Sequence, residues 1–179
     1  WDSRLADLRN CLTKKDTVGN GSLRAVNGVY NKGIRNNGSH ILDLLASIVG
    51  SLKPEWAAVR PANARESDPD IDMVPISDSG IRCSLISTDS EDFAQFELTF
   101  LMSHGELRML DGGLRWSERT VESSPEFAGY KRLSKEIETA GGYLPVMERA
   151  ISEVIDLAQD QQSALKDYCA AEQAVETER

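Results

Sequence analysis

Hydrophobic and polar positions alternate most clearly between Gly80 and Val121. Over Phe93–Met102, Ala94, Phe96, Leu98, Phe100 and Met102 fall on one side and Phe93, Gln95, Glu97, Thr99 and Leu101 on the other. Successive side chains of a strand point to opposite faces, so this pattern predicts a strand with one buried face. Ile81, Cys83 and Leu85 repeat it earlier, and Leu107 with Met109 and Leu114 with Trp116 repeat it later. The links Thr88–Glu91, Ser103–Gly105 and Asp111–Gly113 are short and rich in turn formers, which suits antiparallel neighbours. The expectation is an α+β fold: an antiparallel meander of about four to five strands, with its core at 80–121. Helices from the N- and C-terminal ends are expected to cover one face.

The flanking segments read as helical. Leu5, Leu8 and Leu12 are spaced for one face of a short amphipathic helix. Leu23, Val26, Val29 and Tyr30 suggest a second helix, interrupted by Gly28 and Gly33. A third is expected from Ser39, a good N-cap, through Ile41, Leu42, Leu44, Leu45, Ile48, Val49 and Leu52, with Pro54 after its end. Residues 53–80 hold four prolines and six acids and read as an irregular connection, with Ile71, Met73 and Val74 as a short edge strand. Ser123 or Ser124 followed by Pro125 predicts a helix with the stripe Phe127, Tyr130, Leu133 and Ile137.

From Leu144 a heptad register runs through Met147, Ile151, Val154, Ala158, Gln161, Leu165, Tyr168, Glu172 and Val175. It predicts one long C-terminal helix whose first half packs on the core. A single domain of 1–179 is expected, with residues 159–179 as its helical extension. Leu165, Tyr168 and Val175 are its candidate partner-binding residues, either for a homodimer through this helix or for another protein.

The net charge of −9 is unevenly placed: residues 1–65 carry +5 and residues 66–179 carry −14. An acidic chain repels phosphate overall, which argues against nucleic acid. No apolar run reaches the length of a membrane span. Cys11, Cys83 and Cys169 lack metal-type spacing. With no legible leader, they suggest reduced thiols in a cytoplasmic protein.

Candidate chemistry centres on Asp70-Ile71-Asp72-Met73, where two carboxylates two apart on a strand point the same way. The run Ala64–Val74 resembles the nucleotidyltransferase motif, which implies two Mg²⁺ ions held by Asp70, Asp72 and a third acid, here Glu97. It departs from that motif where the Gly-Ser phosphate-binding turn belongs, since Val59-Arg60-Pro61-Ala62 stands there. His40 and His104, the only histidines, lack companions at ligand spacing, so neither metal nor cofactor is expected. The leading functional expectation is a non-enzymatic protein–protein interaction module, such as an adaptor, an immunity-type inhibitor or an assembly subunit. The alternative is a metal-dependent nucleotidyltransferase-like or phosphoryl-transfer enzyme on Asp70 and Asp72. A mimic of nucleic acid ranks third.

Overall fold

The computed structural model describes residues 4–5, 8–9, 21–60, 67–142 and 145–158. In chain order these form β1 (Leu23–Tyr30), a π-helical turn (Ile34–Gly38), α1 (Ser39–Val49), β2 (Leu52–Val59), β3 (Ile71–Ser77), β4 (Arg82–Ser87), β5 (Phe96–Met102), β6 (Gly105–Leu110), a 3₁₀ turn (Asp111–Gly113), β7 (Arg115–Ser123), β8 (Lys131–Leu133), β9 (Ile137–Ala140) and α2 (Val146–Ala158). The strands make one sheet in the order β2-β3-β4-β1-β5-β6-β7-β8, with β9 also on β7. Among the described strand pairs only β1–β4 is parallel.

This corrects the expected fold. The sheet is mixed and has nine strands, not four or five antiparallel ones, and the described part of α2 ends at Ala158. The core lies between α1 and one face of the sheet. Ile41, Leu45 and Ile48 of α1 are buried with Val26 and Tyr30 of β1, Cys83 and Leu85 of β4, Leu98 and Phe100 of β5, Met109 of β6 and Trp116 of β7. Leu8 joins this core, and Leu5 packs against it.

Each misread segment has a physical cause. Leu23–Tyr30 is a strand, not a helix: a register shift between Leu23 and Ala25 puts an extra residue between two inward positions. Leu23 and Val26 are therefore both buried three apart, which mimics helical spacing. The segment 53–80, expected to be irregular apart from a short edge strand at Ile71, Met73 and Val74, holds most of β2, and its expected edge strand is β3, which runs on to Ser77 and lies inside the sheet. Pro54 and Pro75 sit opposite each other there, with Pro54 on the sheet's edge strand, where a missing amide is tolerated.

The predicted helix after Ser124 is instead the β7–β8 turn. The capping bond forms, since the Phe127 amide donates to Ser124 Oγ at 3.2 Å. Gly129 then adopts φ +82° and the chain reverses, leaving Phe127, Tyr130 and Ile137 exposed. The stripe Met147, Ile151, Val154 and Ile155 was expected on the core and is exposed. Leu165, Tyr168 and Val175, with the rest of 159–179, lie outside the described residues. Among the described residues no helix is long and apolar enough to cross a membrane.

Candidate functional site at the carboxyl rim of the central strands

Register brings the ends of five strands to one rim. Tyr30, the last residue of β1, lies opposite Ser87 at the end of β4 and Phe96 at the start of β5, while Val59 ends β2 opposite Ile71 at the start of β3. Loops on such a rim rest on a rigid scaffold, and ligands in open α/β sheets favour the carboxyl ends of strands.

Side chains of β1's last turn fasten this rim. The buried Tyr30 hydroxyl donates to the Ile71 carbonyl at 2.5 Å, and burial, with Asp70, Asp72 and Asp68 nearby, holds the phenol well above its ordinary pKa. The neighbouring Asn31 is wholly buried and fully used. Its Nδ2 donates to the Phe93 carbonyl at 2.6 Å and its Oδ1 accepts from the Gln95 amide at 3.3 Å, tying the β4–β5 connection to β1.

The chain then turns sharply. Lys32 and Gly33 adopt φ +69° and +82°. The Gly33 amide donates to Asp70 Oδ1 at 3.0 Å, the Ile34 amide to the Pro69 carbonyl at 2.9 Å and the Arg35 amide to Asp68 Oδ1 at 2.7 Å. Only glycine fits at 33, because a Cβ there would collide with the Asp68 carboxylate. The π-helical turn leads into α1, where Ser39 is not the predicted N-cap. Gly38 precedes the helix without a side-chain cap, and Ser39 Oγ donates back to the carbonyls of Arg35 and Asn36, both at 2.8 Å. Such turns recur at functional sites.

The predicted metal candidates sit at or near this rim in other roles. Asp70, only 4% exposed, accepts the Gly33 amide. Asp72 Oδ1 accepts from the Ser87 amide at 2.8 Å and the Ser87 hydroxyl at 2.9 Å, and Arg60 Nε lies 3.8 Å from its other oxygen. Glu97 stands on β5 opposite Val29. Among the described residues no three His, Cys, Asp or Glu side chains gather as metal ligands, so the structure does not assemble Asp70, Asp72 and Glu97. Cys83 is buried on the core face with its thiol pushed up to about 11 by burial, which leaves it an inert core group at neutral pH.

From the sequence, His40 is weighed only as a metal ligand. It is exposed in the first turn of α1, directly after the clamped turn, with Lys32, Arg35 and Asn36 also exposed along the same stretch. His104 is exposed in the β5–β6 turn, next to Met102, which pairs with Leu23 at the opposite end of β1. The available signal was a glycine-punctuated strand-to-helix turn running into Gly38-Ser39-His40.

No family model matches the chain, and no curated protein matches it in sequence. Solved structures do match. A protein described as an NADPH-dependent oxidoreductase from Desulfitobacterium hafniense superposes with a TM-score of 0.69 at 11% identity, covering 98% of this chain and 56% of that one. An NAD-binding protein from Listeria innocua gives 0.63 at 12% identity over 99% and 55%. A variant 3-ketoreductase from Actinomadura kijaniata, in complex with TDP-benzene and NADP, gives 0.64 at 11% over 98% and 53%. The chain thus shares the fold of these proteins and spans about half their length. These likenesses run against the expectation of a non-enzymatic interaction module, since the proteins that share the fold are described as oxidoreductases or NAD-binding proteins. They also lend no support to the expected protein-binding, coiled-coil and dimer character.

Proposed function

We propose that this chain is the substrate-side half of an NAD(P)-linked oxidoreductase acting on a carbonyl or alcohol, with His40 handling the proton on the substrate oxygen. The observation that supports it is the likeness to such proteins along nearly the whole chain, over only about half of theirs. A dinucleotide does not fit the turn of this chain that most resembles a phosphate cradle. In a dinucleotide-binding turn the free amides at a helix start face the pyrophosphate. Here the amides of Gly33 and Arg35 are taken by carboxylates, and those negative charges would repel phosphate. The chain also lacks G-x-G-x-x-G. We therefore place the dinucleotide on a unit other than this sheet, and this chain's part is the proton chemistry.

Interconversion of an alcohol and a carbonyl moves a proton at oxygen as well as a hydride at carbon. Imidazole suits the first task, since its ordinary pKa lies near neutrality and it serves as acid or base with small changes of surroundings. His40 is exposed in the first turn of α1, close after the turn that leaves β1, so a substrate reaches it without crossing the core. A cytoplasmic setting belongs to the same proposal and is supported by the free, buried Cys83 thiol.

The test is isotope transfer by the native protein that carries this chain, supplied with C4-deuterated NADH or NADPH and a panel of ketones. Deuterium is expected on the alcohol carbon of the product. No transfer from either dinucleotide to any ketone contradicts the proposal.

A further inference from the structure

We propose that the segment Asp68-Pro69-Asp70 is a positioning clamp that sets the place of His40, resting on the reading of His40 as the proton-handling group. Three consecutive amides, of Gly33, Ile34 and Arg35, meet three consecutive acceptors in reverse order: Asp70 Oδ1, the Pro69 carbonyl and Asp68 Oδ1. A helix leaves its first amides without internal partners, and a neighbouring side chain usually fills them. Neither Gly33 nor Gly38 has a side chain to do so. The helical run that begins at Ile34 is capped instead by residues 33 to 37 positions away in sequence. The two carboxylates also oppose the positive end of the run's dipole.

The clamp is anchored on its far side. The Asp70 carbonyl accepts from the Arg60 amide at 3.0 Å, continuing the β2–β3 ladder beyond Val59 and Ile71. The Tyr30 hydroxyl fastens the next residue, Ile71, to β1. A rigid strand pair thus holds the acceptors, the acceptors hold the turn, and His40 follows five residues after the last clamped amide. The turn contains two consecutive residues at positive φ, one of them Lys32, and relies on the clamp to hold that conformation. A displacement of about 1 Å at a reacting group costs up to about 100-fold in rate. Asp68 and Asp70 touch no substrate in this account, and their effect passes through His40.

The experiment compares Asp68→Ala, Asp68→Asn and His40→Asn in the native protein, using the deuterium-transfer reaction under steady-state conditions. Asp68→Ala is expected to lower kcat by about 10- to 100-fold with KM within about twofold, because the group is displaced while substrate contacts remain. Asp68→Asn keeps an amide oxygen as acceptor and is expected to restore kcat to within about threefold. If Asp68→Ala folds and keeps full kcat while His40→Asn is inactive, the clamp proposal fails and the reading of His40 stands. If His40→Asn is itself fully active, both fail. Amide hydrogen exchange on the unmodified protein supplies a test that needs no variant. The amides of Gly33, Ile34 and Arg35 are expected to exchange as slowly as those inside α1, and exchange as fast as an open loop overturns the clamp.

Discussion

Phe100→Ala is expected to lower the unfolding free energy by about 3–5 kcal/mol, the cost of lost burial plus the cavity left behind. Phe100 is wholly buried at the middle of β5, between Val26 of β1 and Leu107 of β6 in register, and α1 closes the core over that face. Neither side of the site can collapse without moving a central strand, so the upper part of the range is expected. Phe96 had been expected to be equally buried, but it is only half-buried at the start of the same strand. Phe96→Ala is therefore expected to cost at least about 1 kcal/mol less, since less apolar area returns to water. Arg24→Ala, on an exposed position of β1, is expected to change stability by under about 0.5 kcal/mol. Urea melts of the three variants check this. Equal midpoints for Phe100→Ala and Arg24→Ala would show that the core does not lie on this face.

His40→Asn is expected to lower kcat of the native protein by about 10²- to 10⁴-fold, the usual contribution of a positioned general acid or base. Asparagine keeps hydrogen-bonding capacity and similar bulk but does not titrate, so binding is expected to change little. The loss should therefore appear in kcat and kcat/KM together, with KM within a few-fold. His104→Asn, at the other end of β1, serves as the control and is expected to leave turnover unchanged. Steady-state kinetics of both variants decide it. A His40→Asn enzyme with full kcat would assign the proton chemistry to another group.

The legible parts of the fold were those where one sheet face is dry and the neighbour is close in sequence. Leu98 and Phe100 alternate with half-exposed Glu97 and Thr99, and the turn after Met102 leads straight into β6. The apolar spacing of Ile41, Leu45 and Ile48 likewise marked α1. Strand β2 left no such trace. After Leu52 every residue through Val59 is exposed, so nothing alternates, and two prolines in the β2–β3 pair read as interruptions. Strand β1 was hidden by its bulge. The parallel β1–β4 pair joins segments more than fifty residues apart, which no local pattern reports.

At the rim, the density of acids at 68, 70 and 72 was visible, but their role was not. Two carboxylates at that spacing read as cation ligands, whereas Asp68 and Asp70 accept backbone amides of the β1–α1 turn and Asp72 accepts from Ser87. Spacing cannot identify partners that only the sheet order brings together. Gln95 was expected on a wet face. Its amide in fact meets Asn31, and its side chain accepts from Thr88 Oγ1 at 2.6 Å. His40 looked solitary because no cysteine or second histidine stands at ligand spacing from it in the sequence.

The central claim is that this sheet carries the substrate side of the reaction while its glycine-bearing turn is closed to a dinucleotide. Calorimetric titration of NADH and NADPH into the 179-residue chain tests it most directly. The account predicts no binding tighter than about 1 mM, equivalent to about −4 kcal/mol, because the turn's amides are already satisfied by Asp68, Pro69 and Asp70. Micromolar binding of either dinucleotide to this chain would contradict it.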